Sequence, residues 1–230
     1  MQATSISTIT NKNSYKYFTF LAVLYVTVLL LTLIIENRIV LFGKNIKILS
    51  GTLVLPLSYA ISDIITEVYG YAQMKRLIWI SIITLYISAG IIYIIIHLPS
   101  DNSNYAAYNT VFDPFTMDIF TYSIAAGISI FLNSYLLAKW KVLMHGKRFW
   151  LRSLGSTAIG EAIFIIIWAL IGFSYKFPIV TLLGFMLVSY LYKIAYNLIT
   201  IIPTTITTAF LKKAEKIDIY DYNLEFNPFK

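Results

Sequence analysis

The sequence predicts an all-α integral membrane protein, a bundle of six transmembrane helices with both termini in the cytoplasm. Hydrophobic residues make up 58% of the 230-residue chain and charged residues only 13%, whereas a soluble domain usually carries about a quarter charged residues. Several apolar runs reach the length of about 18 residues that a membrane-spanning helix needs. A soluble domain with a large core is disfavoured, because this chain has too little polar surface to cover itself.

The first three predicted helices are joined by short polar connections. Helix one covers Tyr17–Ile35, and it lacks the small-residue cleavage site that follows a signal peptide. Helix two covers Ile48–Tyr69 and helix three Leu77–His97, and the turn between them carries Lys75 and Arg76. All three runs are therefore expected to stay in the membrane.

The last three predicted helices lie on either side of a basic loop. Helix four covers Ile119–Ala138, helix five Ser153–Phe173 and helix six Ile179–Ile202, with a continuation as far as Phe210. The loop between helices four and five is expected to anchor the membrane surface through five basic residues: Lys139, Lys141, Lys147, Arg148 and Arg152.

The distribution of lysine and arginine predicts the orientation. Thirteen of these residues lie in the two tails and in the loops after helices two and four, and four lie in the connections on the other side. Because cytoplasmic loops carry an excess of positive charge, we expect a cytoplasmic tail over residues 1–16, a transmembrane domain over 17–210 and a cytoplasmic tail over 211–230. The alternating charges of the second tail favour a solvated extension. The formal net charge of +7 is attributed to contact with anionic lipid, with no nucleic-acid partner.

Four ionisable residues fall inside the predicted helices and mark the candidate site. Asp63 and Glu67 lie one turn apart on helix two, Glu161 lies on helix five and Lys193 on helix six. Each costs roughly 2.5–3.5 kcal/mol at the centre of a lone helix, so such groups usually face the bundle interior, where they pair or bind a solute. Their depths along the helices are compatible with one shared cavity near the midplane.

Polar and aromatic residues on neighbouring helices extend the candidate site. Asn133, Trp168 and Asn197 lie on helices four, five and six, the last two in stripes with the three- or four-residue spacing of one helix face. We expect Asp63 and Glu161 to contact the solute while Lys193 balances their charge. Amides, carboxylates and aromatic rings suit a small, flat, polar solute. The predicted substrate-binding residues are Asp63, Glu67, Asn133, Glu161, Trp168, Lys193 and Asn197.

The sequence contains no motif for an enzyme active site. There is no cysteine, so disulfides and cysteine–metal sites are excluded. A phosphate-binding glycine loop and a zinc-binding HExxH segment are both absent. We therefore expect a protein that is not an enzyme, with no cofactor and no metal. Its expected partners are a small-molecule substrate and the lipid bilayer, and a homodimer is left open.

Each candidate residue also has a purely structural interpretation. Glu67 could pair with basic residues at the cytoplasmic interface, and Arg152 is placed to reach it at the start of helix five. Asp63 and Lys193 could form an ion pair that only holds helices together. Trp168 could face lipid or core, as aromatic residues in membranes often do.

Three segments resemble the bacterial queuosine precursor transporters, also called the vitamin uptake transporter family. They are PLSYAISDIITEVYG (56–70), LNSYLLAKWKVLMHGKRFWLRSLGSTAIGE (132–161) and SYLYKIAYNLITIIPTTI (189–206). The resemblance implies a multi-pass protein of the bacterial inner membrane that imports 7-deazaguanine bases for salvage into tRNA modification. These bases are the cyano and aminomethyl intermediates or queuine. Family members often carry an aspartate three residues after the position of Glu161, where this chain has Phe164.

Two other functions remain open at the level of sequence. One is the substrate-binding subunit of an energy-coupling-factor vitamin importer, which also has six helices and needs small residues on helix one for its partner subunit. Helix one has Ala22 as its only small apolar residue, which disfavours this function. The other is a membrane scaffold without a solute, for which neutralising Glu161 should leave function unchanged.

Overall fold

The computed structural model of the protein describes residues 15–42, 46–100, 105–175, 177–222 and 224–228. Most of the predicted N-terminal tail lies outside the described residues. So do four of the basic residues that enter the orientation argument, namely Lys12, Lys44, Lys176 and Lys230.

Seven helices and one hairpin make up the described residues. Six helices are long and apolar enough to cross a membrane, so the predicted all-α bundle of six transmembrane helices is confirmed. The eight-residue α4 is too short to span by itself. The elements in chain order are α1 (Phe18–Ile35), β1 (Ile39–Phe42), β2 (Ile46–Leu49), α2 (Ser50–Tyr69), α3 (Tyr71–Ile96), α4 (Tyr105–Phe112), α5 (Phe115–Leu143), α6 (Phe149–Gly172) and α7 (Ile179–Glu215).

Several helices are longer than predicted at the ends that carry basic residues. α3 begins at Tyr71 instead of Leu77, and α7 continues beyond Phe210 to Glu215. α5 ends at Leu143 instead of Ala138, and α6 begins at Phe149 instead of Ser153. Lysine and arginine have long apolar stems and are good helix formers, so a helix need not end where its apolar run ends.

A two-stranded hairpin joins α1 to α2. β1 and β2 pair antiparallel, with Ile39 opposite Leu49 and Phe42 opposite Ile46. The sequence analysis assigned the end of β2 to helix two, because a short apolar run does not distinguish a strand from a buried helix by periodicity alone.

α2 is the central helix of the bundle. Sixteen of its 20 residues are buried, and it packs against α1, α3, α5 and α7. α6 packs against both α5 and α7. Because α2 has hardly any surface left for lipid, its polar side chains meet other helices.

The bundle has two chemically different ends. At one end, which we call the basic end, α2, α5 and α7 finish and α1, α3 and α6 begin; here the Tyr69 hydroxyl donates to the Glu215 carboxylate at 2.9 Å. At the other end, which we call the hairpin end, α1 finishes next to the β-hairpin, and Asn37 donates to Asp118 at 2.6 Å.

The chain after α7 packs across the basic end, where the sequence analysis expected a solvated tail. We call residues 216–222 and 224–228 the C-terminal strap. The Tyr71 N–H donates to Asp221 at 3.0 Å, and Trp79 Nε1 donates to the Pro228 carbonyl at 2.7 Å. Gly70, at φ +86°, turns α2 directly into α3. This left-handed conformation favours glycine, and a Cβ at this position would also contact the strap.

Candidate functional site

The predicted site residues lie along a polar column between α2, α5, α6 and α7, and they do not share one cavity. Ser153, Thr157 and Glu161 lie one turn apart on α6, and Asp63 and Glu67 lie one turn apart on α2. Their contacts divide the column into three groups, which follow one another from the basic end towards the hairpin end.

Glu67 is the centre of an ion cluster at the basic end. Arg152 donates two hydrogen bonds to its carboxylate, from Nη1 to Oε2 at 2.8 Å and from Nη2 to Oε1 at 3.1 Å. The ammonium groups of Lys212 and Lys141 lie 2.7 Å and 3.7 Å from Oε1. Asp218 lies within 2.8 Å of both lysines. Three cations therefore share two carboxylates.

The ion cluster corrects the prediction for the basic loop. Lys141 and Arg152 are only 2% and 1% exposed, so the expectation that they anchor the membrane surface is wrong. The expectation that Arg152 reaches Glu67 is confirmed. Because both oxygens of Glu67 accept hydrogen bonds from cations, this carboxylate is not free to bind a solute.

Asp218 attaches the strap to the cluster. Burial alone would raise the pKa of this carboxyl group, but hydrogen bonds from Lys141 and Lys212 outweigh burial and lower it. Lys141 Nζ also donates to the Ile219 carbonyl at 2.6 Å. The strap is thus joined to the end of the bundle through charged groups.

Asp63 accepts hydrogen bonds from neutral groups, one turn further into the membrane. Asn133 Nδ2 donates to Oδ1 at 2.7 Å. The hydroxyls of Ser153 and Thr157 both donate to Oδ2, that of Thr157 at 3.0 Å. The small cavity beside Asp63, about 10 Å³, is also lined by Asn197. This volume admits about one water molecule.

Glu161 and Lys193 form a buried and incompletely satisfied ion pair. Lys193 Nζ lies 3.7 Å from Glu161 Oε2, and the two residues are 1% and 0% exposed. Within the described residues, neither Glu161 oxygen makes a hydrogen bond of ordinary geometry, nor do Lys193 Nζ and Asn197 Nδ2. Buried polar groups usually have partners, so this group is suited to receiving water or a polar solute. The alternative pairing of Lys193 with Asp63 is wrong, since the carboxylate beside Lys193 is Glu161.

Aromatic side chains form part of the wall of a cavity that Lys193 also lines. Lys193 Nζ lies 4.3 Å from the ring centroid of Phe164, and the Phe164 and Trp168 rings stack at 6.5 Å. This inner cavity measures about 20 Å³. An outer cavity of about 40 Å³, towards the hairpin end, shares four of its lining residues. The shared residues are Trp168, Leu182, Phe185 and Ser189.

Glu36 is a carboxylate of the inner cavity that the sequence analysis missed. It follows α1, is 8% exposed, and lines the inner cavity together with Lys193. Its carboxylate lies where a Cβ on Gly51 would project, at the start of α2. The N-terminus of a helix stabilises a negative charge. A glutamate directly after an apolar run, with a glycine opening the next helix, is the sequence signal that would have indicated it.

A larger groove lies between α1 and α3 but is chemically unlike the polar column. It measures about 740 Å³ and is lined mainly by apolar side chains, with Gln73 and Arg76 among its few polar residues. None of the buried carboxylates lines it, so it is not the candidate site. In the described part of the chain, no three histidine, aspartate or glutamate side chains come together as a metal site would require.

Comparison with known families decides the assignment of the chain. The family model described as "Putative vitamin uptake transporter" matches residues 50–208. The chain belongs to the vitamin uptake transporter family. No curated protein and no solved structure matches it.

In this member of the family, the matched segment runs from the first residue of α2 into the last turns of α7. It contains the Asp63 network and the Glu161–Lys193 pair. Glu36 and the strap lie outside the match. The resemblance to the family is confirmed, and the protein is a multi-pass membrane protein of a transporter family.

Proposed function

We propose that this vitamin uptake transporter imports 7-deazaguanine precursors of queuosine across the inner membrane, with its basic end in the cytoplasm. The observation that carries the proposal is the Glu161–Lys193 pair. Its polar atoms are buried and lack hydrogen-bond partners within the described residues, and its Lys193 lines an aromatic cavity. An ion pair that served only to hold helices together would be expected to have these atoms satisfied.

The groups of this pair complement the edge of a guanine-like base. Such an edge carries a ring N–H and an exocyclic NH₂, and a carboxylate such as that of Glu161 accepts both at once. The ring carbonyl accepts a hydrogen bond from Lys193. The flat ring stacks against Phe164 and Trp168, which already lie nearly parallel at 18°.

Asp63 has a different role in this arrangement. Both of its oxygens accept hydrogen bonds from α5 and α6. We infer that Asp63 positions α6, so that Glu161, two turns further along from Ser153, lies beside Lys193 at the inner cavity. Asn197, one turn from Lys193 on α7, connects the Asp63 network with the cavity.

Transport requires α7 to move. The inner cavity is far smaller than the roughly 300–1,000 Å³ of a ligand site. α7 is buried mainly along a single stripe that includes Lys193, Asn197, Thr204 and Thr208, so it can separate from α2 and α6 without breaking contacts on its other side. The outer cavity gives entry from the hairpin end, and the ion cluster around Glu67 closes the basic end.

Uptake by the purified protein tests the proposal. Proteoliposomes that contain only this chain should accumulate labelled cyano and aminomethyl 7-deazaguanines or queuine. Glu161→Gln should weaken binding about ten- to a hundredfold, because a hydrogen bond to a charged group contributes about 1.5–3 kcal/mol. Asp113→Asn, which removes an exposed carboxylate, is the matched control and should leave binding unchanged.

The same uptake measurement distinguishes this proposal from the two alternative functions, the energy-coupling-factor subunit and the scaffold. Uptake that appears only after a partner subunit is added would favour the energy-coupling-factor importer. A folded Glu161→Gln protein with full function and raised stability would favour the scaffold.

A further inference from the structure

We propose that Glu36 binds a protonated amine of the transported solute, so that the cavity prefers cationic to neutral ring compounds. The inference rests on the proposed function and adds a second contact point to the one at Glu161. Glu36 lines the inner cavity together with Lys193, Tyr122 and the aromatic wall.

The charges in and beside the inner cavity favour a cation. Glu36 and Lys193 line the cavity, and Glu161 lies outside the lining at 3.7 Å from Lys193, so two carboxylates accompany one ammonium. Asp118 adds a further negative charge that acts on Glu36. Lys47 lines only the outer cavity and is exposed. A solute with one positive charge would therefore neutralise the excess negative charge in a region with little water to do so.

Glu36 is the carboxylate that remains available for the amine. Glu161 already has Lys193 at 3.7 Å. Glu36 has no basic side chain within 4 Å among the described residues. Lys193 and Asp118 interact with its charge at longer range. Its position is fixed by the absence of a side chain at Gly51.

The side chains near Glu36 offer acceptors for the hydrogen bonds of an ammonium group. An ammonium has three N–H donors and no acceptor. Tyr122 lines the same cavity, and its buried hydroxyl has no hydrogen-bond partner in the described part of the structure. The Tyr122 ring also meets the Phe164 ring edge-on, with centroids 5.7 Å apart. The Glu36 carboxylate and the Tyr122 oxygen are thus two possible acceptors on residues that line one cavity.

Two ligands that differ in one substituent test the assignment. Binding of the aminomethyl and the cyano 7-deazaguanines is measured on purified wild-type, Glu36→Gln, Glu161→Gln and Asp113→Asn proteins in detergent. Wild type should bind the amine at least tenfold more tightly. Glu36→Gln should weaken binding of the amine about ten- to a hundredfold and change binding of the cyano compound less than about threefold. Glu161→Gln should weaken both, and Asp113→Asn should weaken neither.

The outcomes separate the two proposals. If folded Glu36→Gln keeps the preference for the amine, the assignment of Glu36 is overturned and the proposed function stands. If wild type binds neither base, the proposed function fails and the assignment of Glu36 fails with it. If Glu36→Gln does not fold, Tyr122→Phe decides. It should weaken only the amine, by about two- to tenfold, as for a neutral hydrogen bond, and an unchanged affinity for the amine would overturn the inference.

Discussion

We predict that loss of the Glu67 charge destabilises the protein more than loss of any one of its cationic partners. Two substitutions test this prediction. Glu67→Gln leaves Arg152, Lys141 and Lys212 with Asp218 as their only carboxylate in the cluster. Removing one partner of a buried ion pair costs about 3–5 kcal/mol. Because three cations then face a single carboxylate, we expect a loss of stability at the upper end of this range.

Arg152→Gln should cost less, although it removes both hydrogen bonds of the bidentate pair. Lys212 remains 2.7 Å from Glu67, so Glu67 keeps a cationic partner. Two lysines then face two carboxylates, and the cluster is neutral. Only Oε2 loses its cationic donor, because Lys212 still donates to Oε1. We therefore expect a loss of about 1.5–3 kcal/mol, the contribution of one hydrogen bond to a charged group.

Unfolding by denaturing detergent, followed through tryptophan fluorescence, measures both losses. Lys147→Gln is the control, because this residue is exposed and belongs to the same basic loop. A loss for Arg152→Gln equal to or greater than that for Glu67→Gln would refute Glu67 as the centre of the cluster. Ligand affinity is measured on the same proteins. Both variants should bind the solute normally when folded and transport it poorly, and lost affinity in folded Arg152→Gln would place Arg152 in the binding site.

Two further predictions concern the orientation and the strap. At the C-terminus, a reporter that works only in the cytoplasm should be active. Between residues 102 and 105, a reporter that works only in the periplasm should be active. Activity of the periplasmic reporter at the C-terminus would overturn the orientation. The lowered pKa of Asp218 means that its contribution to holding the strap is present above the ordinary aspartate pKa of about 3.9 and is lost as pH falls through the lower, folded value. Hydrogen exchange of residues 216–222 should therefore stay slow from pH 7 to 5, whereas Asp218→Asn should speed it at pH 7; fast exchange of wild type at pH 5 would contradict this.

The sequence predicted the membrane spans and the buried ionisable residues well, because both depend on local composition. An apolar run long enough for the bilayer is visible without any tertiary information. The cost of a charge in the membrane singles out Asp63, Glu161 and Lys193 in the same way. Helical spacing then indicates which residues share a face, as it did for the stripe on α6.

The partners of these residues could not be predicted, because helical spacing does not say which helix a face meets. Asp63 and Glu161 were equally suited to Lys193 by sequence, and only the packing of α7 against α6 selects Glu161. Lys141 resembled any basic residue at the end of an apolar run. Its partner Asp218 lies far along the chain, beyond the reach of any local pattern. Glu36 was missed because it lies one residue outside the predicted first helix.

The central position of α2 has a consequence for how the chain enters the membrane. Its span has the lowest mean hydropathy of the six. Asp63 and Glu67 both oppose insertion, since a charge at the centre of a helix costs roughly 2.5–3.5 kcal/mol. Gly70 leaves no loop before α3, so the translocon receives α2 and the more apolar α3 as one hairpin. The groups that neutralise or hydrogen-bond its carboxylates come from α5, α6 and α7, which leave the ribosome later. The helix at the centre of the bundle, second to be synthesised, is therefore among the last to become stable in the bilayer.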